Sequence, residues 1–208
     1  MKKPFLLSLV IFLFSAPLFS QQDFLFRGLP WGATPEQIKE KEGQPDDYNG
    51  GDGQYLLWYK YKNKDVAGYK AWLEYFMDKD SPYGMVMASY MIDINKTYLM
   101  LQEPDPTNFV NCYVDLQGKL ISVYGNPKSR KNLNRIESGI SVLAAQQYRN
   151  GLPNATVWET GITRIYLALR YESKTSGYSV EIEYITKPYW DMVEPAILGT
   201  PSKSTDGL

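Results

Sequence analysis

From residue 55 onward the chain alternates, and that alternation limits its fold more than any other feature. In 55–62, Tyr55, Leu57, Tyr59 and Tyr61 interleave with Leu56, Trp58, Lys60 and Lys62. In 69–76, Tyr69, Ala71, Leu73 and Tyr75 interleave with Lys70, Trp72, Glu74 and Phe76. A third strand-like run spans 84–93. Three more follow at 155–160, 163–172 and 177–186, where Tyr178, Val180, Ile182 and Tyr184 oppose Ser179, Glu181, Glu183 and Ile185. Side chains of a strand point to opposite faces in turn, so period two with one apolar set predicts an antiparallel sheet, one face covered and the other wet.

Between the strands lie helical periods with marked ends. Thr34, Pro35 and Gln37 form an N-cap, a first-turn proline and a capping box, and Gly43 and Pro45 stop the helix they open. A longer helix opens at Asp105-Pro106, with Phe109, Cys112, Tyr113, Leu116, Leu120 and Val123 on one face, and leaves through Gly125-Asn126-Pro127. A third is expected over 136–148. The expected class is α+β: about six antiparallel strands with two to three helices packed on one face. The paired Gly-x-Pro exits admit two degenerate helix-plus-strands halves. So does the match of Gly68, Tyr69, Glu74 and Tyr75 to Gly177, Tyr178, Glu183 and Tyr184.

Residues 1–20 carry Lys2 and Lys3, an apolar run from Phe5 and a small-residue end, the layout of a secretory signal cleaved after Ser20. A periplasmic or extracellular address follows, with no transmembrane segment after cleavage. The expected organisation is a signal at 1–20, one domain over 21–187 and a partly disordered tail at 188–208. Losing Lys2 and Lys3 leaves 20 basic against 23 acidic residues, a net charge of −3. There is no basic stripe for nucleic acid.

The chain has no histidine, which removes imidazole bases, His-dependent triads and His-ligated zinc. Its single cysteine, Cys112, leaves no intramolecular disulfide, so the core alone must hold the fold. G-x-S-x-G, S-x-x-K and phosphate-loop motifs are missing, and Asp47, Asn49 and Asp52 lack the spacing and closing Glu of a calcium loop. No cofactor is called for. A small outer-membrane barrel would need at least eight strands of about ten residues, more than the pattern supplies.

The spacing Gly32-x-Thr34-x-x-Gln37-Ile38 followed by Gly43-x-Pro45 resembles the signature of the SmpA/OmlA (outer-membrane assembly lipoprotein) and β-lactamase-inhibitor-protein-like superfamily. The wider pattern, Phe26-Arg-Gly to Trp31-Gly32, tyrosine-rich strands and Trp158-Glu-Thr, is similar to exported bacterial proteins of unknown function. The resemblance implies helices on one side of an antiparallel sheet, with the other side open to partners. The assembly lipoproteins' lipidated Cys has no counterpart here.

The candidate site is therefore the wet face. Trp58 and Trp72 fall among Lys60, Lys70 and Glu74, and Tyr166 and Arg170 hold the corresponding side of the later strands. Aromatics amid charges are the composition of protein-binding hot spots. The expected function is a non-catalytic binding module engaging a protein or envelope component. The alternative is an envelope glycan hydrolase using Glu181 and Glu183, roughly 6–7 Å apart on one strand face.

Overall fold

A computed structural model describes residues 25–50, 56–78, 84–92, 107–130, 155–173 and 177–197. The expected signal at 1–20, the expected helix at 136–148 and the tail from 199 lie outside the described residues. The chain order is β1 (Leu25–Phe26), β2 (Leu29–Pro30), α1 (Pro35–Glu42), β3 (Asp47–Asn49), β4 (Leu56–Val66), β5 (Tyr69–Asp78) and β6 (Met85–Ile92), then α2 (Thr107–Tyr124), β7 (Thr156–Thr160), β8 (Thr163–Ser173), β9 (Gly177–Thr186) and α3 (Lys187–Ile197). β1 and β2 form a small hairpin. The other seven strands form one antiparallel sheet in the order β3-β4-β5-β6-β9-β8-β7. The α+β class follows from the sequence; the seventh strand, β3, is three residues of a segment whose turn-rich composition hid it.

The alternation sorts the two faces as expected. Tyr59, Tyr61, Leu73, Tyr75, Ile165, Leu167, Val180 and Ile182 point to one buried side. That inner face is covered by α1, α2 and the β1–β2 hairpin. Phe26 of the hairpin packs at ring-centroid distances of 5.6, 5.5 and 4.9 Å against Tyr75, Tyr90 and Tyr184. Backbone bonds Gly32 N to Met85 O (2.9 Å) and Met85 N to Ala33 O (3.0 Å) tie the hairpin's exit to β6. Gly84 permits this approach: a Cβ there would overlap the carbonyls of Gly32 and Ala33, and its φ is +50°.

α1 is capped as its sequence requires. The Gln37 amide N–H donates to Thr34 Oγ1 (3.3 Å) and the Thr34 N–H to Gln37 Oε1 (2.8 Å). Of the apolar face predicted for α2, Phe109, Cys112, Tyr113, Leu116 and Leu120 are buried, but Val123 is 70% exposed. Val123 sits in the last turn, where Ile121 and Tyr124 pack against the core in its place. Gln117 is buried instead, because its side chain donates to Thr156 Oγ1 at 2.8 Å.

Strand order and register in the two halves correspond as if about a pseudo-two-fold axis. It passes between Ser89 and Glu183, which face each other where β6 pairs with β9. About it β4, β5 and β6 correspond to β7, β8 and β9. Each half starts with a helix stopped by a glycine whose N–H reaches back four residues: Gly43 to Lys39 O and Gly125 to Ile121 O, both 2.9 Å. Three residues later Asp46 N bonds Lys60 O (2.9 Å), and Lys128 N bonds Val157 O (2.8 Å).

One expectation fails. The segment after 187 is not a tail at its start: α3 folds back over the outer face, and Trp190, 3% exposed, packs on Ala155, Tyr166, Ala168 and Ile185. Helices thus cover both faces of the sheet. One indole buried over two alanines supplies an apolar payload that the short, uneven periodicity of 187–197 concealed.

Candidate functional site

The outer face divides at the axis. On the second half α3 covers it, and this removes Tyr166 from the candidate surface. Tyr166 is 4% exposed, its ring centroid 5.0 Å from that of Trp190, and the Arg164 guanidinium lies 5.6 Å from the Trp190 ring centroid. The correction has a plain cause: a strand's polar-side tyrosine is wet only until a later helix lands on it. Arg170 lies in β8, and its side chain falls outside the described residues.

On the first half the side chains of this face are half-buried, Lys60 being 20% and Glu74 14% exposed. Trp58 and Trp72 are half-buried on adjacent strands β4 and β5, held there by the register that sets Trp58 opposite Phe76 and Lys60 opposite Glu74. Lys60 Nζ lies 2.8 Å from Glu74 Oε1 and 4.4 Å from the Trp72 ring centroid. Lys62 Nζ stands 5.2 Å from the same ring centroid. Such cation–π contacts are worth about 0.5–1 kcal/mol at exposed positions. They fix the indole without burying it. Lys70 sits at the far end, its ammonium 2.9 Å from Asp65 and largely exposed.

The structure thus brings Trp58, Lys60, Trp72 and Glu74 into one patch, places Lys70 at its margin and takes Tyr166 out of it. Sequence reasoning left out Lys62 and Phe76. Period two put both on the same side as Trp58, and Phe76 in particular pairs directly with it.

The carboxylates of the alternative reading are on the outer face near the axis, and both are buried: Glu181 is 9% exposed and Glu183 8%. Ser179 donates to Glu181 Oε1 at 3.1 Å, and Glu183 lies opposite Ser89 and Tyr166. Among the described residues no group of three or more Cys, Asp or Glu is placed to hold a metal ion. No described helix is long and apolar enough to cross a membrane. Burial pushes the Cys112 thiol up to about 12, so it is a protonated core side chain rather than a nucleophile.

No protein-family model matches the chain, and no curated protein matches it. Among solved structures it is similar to the crystal structure of a DUF4309 family protein (YjgB) from Bacillus subtilis, with 14% identity, 80% of this chain and 84% of that chain covered, and a TM-score of 0.37.

Proposed function

We propose that the chain is an exported, non-catalytic binding module of the bacterial envelope, which holds a protein or envelope partner on the outer face of its first half. The observation that carries this reading is the pair of half-buried tryptophans, Trp58 and Trp72, flanked by the Lys60–Glu74 ion pair on the half of the face away from the Trp190 seat. Planar rings already held by neighbours lose little entropy on binding, and adjacent charges of both signs orient a partner. The resemblance of the Gly32 to Pro45 motif to the assembly-lipoprotein and inhibitor-protein-like superfamily supports the same reading, as does the signal-like segment at 1–20.

The test is capture from the source organism's envelope extract by immobilised chain, beside a variant carrying Trp58→Ala and Trp72→Ala. The wild type should retain a defined component and the variant should not, with both giving the same circular dichroism spectrum. Equal capture by the two proteins would refute the assignment of the site.

A further inference from the structure

Two short stretches of the chain repeat each other. Lys96-x-Tyr98-x-x-x-x-Glu103-Pro104 has the same residues at the same spacing as Lys187-x-Tyr189-x-x-x-x-Glu194-Pro195. The second stretch is the body of α3. The first follows β6 as α3 follows β9, with Asp93, Ile94 and Asn95 in between, and β6 and β9 are the corresponding third strands of the two halves. Self-similarity at a fixed offset marks copies of one structural unit. The two segments therefore hold the same station in their halves.

Strand register says where such a segment lands. Tyr61 pairs with Leu73 as Trp158 pairs with Ile165, so Trp58 stands where Ala155 stands and Phe76 where Ala168 stands. Met91 pairs with Trp72 as Ile185 pairs with Arg164, so Met91 stands where Ile185 stands. Ala155, Ala168 and Ile185 form the seat of Trp190. We infer that residues 96–104 occupy, on the first half, the seat that α3 occupies on the second, with Leu99 on Trp58, Phe76 and Met91. Residues 96–104 lie outside the described residues; their sequence and the described seat carry the assignment. Side-chain size runs in opposite directions in the two copies. Two alanines receive an indole, and two aromatic rings receive a leucine, so large meets small in both. A cover supplied by the chain itself also accounts for the state of this face, where Trp58, Trp72 and Phe76 are half-buried and the paired Lys60 and Glu74 side chains are 20% and 14% exposed. The inference goes beyond the binding-face reading and is tested without a partner.

Proximity is tested in the full chain carrying Cys112→Ala, Phe76→Cys and Leu99→Cys, with dibromobimane, which becomes fluorescent when both its arms react with thiols a few ångströms apart. Labelling should be several-fold brighter than in a control with Tyr48→Cys in place of Phe76→Cys, at the exposed edge strand β3. Packing is tested by urea unfolding. Leu99→Trp overfills the wild-type seat and should lower the midpoint. In a Trp58→Ala, Phe76→Ala background, which gives the first seat the alanines of the second, the same substitution should raise it. Bimane fluorescence no brighter than the control, or a Leu99→Trp shift of the same sign in both backgrounds, overturns the assignment. If the two-alanine variant does not unfold cooperatively, the bimane pair decides alone. Capture of an envelope component plays no part in these readouts, so their failure leaves the binding-face reading to its own experiment.

Discussion

Tyr61 and Trp158 do the same work in the two halves of the molecule. The Tyr61 hydroxyl donates to the Gly43 carbonyl at 3.2 Å, and the Trp158 indole donates to the Gly125 carbonyl at 2.9 Å. Each lies on the first long strand of its half and holds the glycine that ends the preceding helix. Helix ends leave carbonyls without intrahelical partners, and here a core aromatic supplies the donor. Burial, with Glu42 nearby, raises the Tyr61 hydroxyl to about 12, so it remains a donor throughout the neutral range.

These anchors give the first prediction. Tyr61→Phe removes one hydrogen bond and little volume, so it should cost about 1 kcal/mol. Trp158, 1% exposed, loses both its bond and its volume in Trp158→Phe, which should cost about 2–3 kcal/mol. Urea midpoints of the two variants check the order. Equal losses would mean that the volume removed at Trp158 adds nothing to the lost bond.

Gly118 stands in the middle of α2, and a Cβ built there meets nothing within 4 Å. Glycine inside a helix costs roughly 0.5–1 kcal/mol relative to alanine. Gly118→Ala should therefore raise stability by about that amount, read as a higher urea midpoint with unchanged slope.

Glu42, at the end of α1, is a buried carboxylate with a side chain 2% exposed. Burial alone would raise its pKa. Arg27 Nε at 2.7 Å, Lys64 Nζ at 2.7 Å and the Tyr75 hydroxyl at 2.9 Å outweigh that and hold it below the ordinary carboxylate range. A carboxyl group with a depressed folded pKa contributes stability that is present above its unfolded value, about 4.3, and is lost as pH falls through the folded value. Glu42→Gln should cost about 2–3 kcal/mol at pH 7, the low side of a broken buried pair because Arg27 and Lys64 are partly solvated. The gap between wild type and variant should narrow as the pH is lowered below 4. A gap constant from pH 7 to pH 3 would show that the carboxylate's charge is not what stabilises this corner.

Tyr166 and Trp72 separate core from surface on the same face. Tyr166→Ala empties the seat of Trp190 and should cost about 3–4 kcal/mol. Trp72→Ala removes a half-buried ring and should cost less than about 2 kcal/mol. Thermal or urea unfolding of the two single variants checks the ranking, and the reverse order would put Trp72 in the core and end its candidacy as a docking residue.

Much of the fold was legible because it is local. Thr34, Gln37 and Gly43 mark the ends of α1 by side-chain and backbone bonds within a few residues, and Gly125 does the same for α2. The in-and-out assignment of Leu73, Tyr75, Ile182 and Tyr184 is a property of the pleat alone. The internal match of 67–76 with 176–185 was misleading in one respect. It aligns β5 with β9, whereas the axis through Ser89 and Glu183 relates β5 to β8 and β9 to β6. Both strands carry an inward tyrosine beside an outward glutamate, so the match records a shared side-chain register rather than common position in the halves. The Gly-x-Pro exits, tied to local backbone geometry, fall at matching places before β4 and β7.

By itself the sequence determined which side chains share a face and where the first two helices stop, since period two and capping act over distances of a few residues. Tertiary structure alone decided that β6 pairs with β9, that Trp190 closes over Ala155 and Tyr166, and that Trp58 and Trp72 end half-buried. Those outcomes depend on contacts between residues far apart in the chain, where a strand's pattern says what must be covered but not which element arrives to cover it.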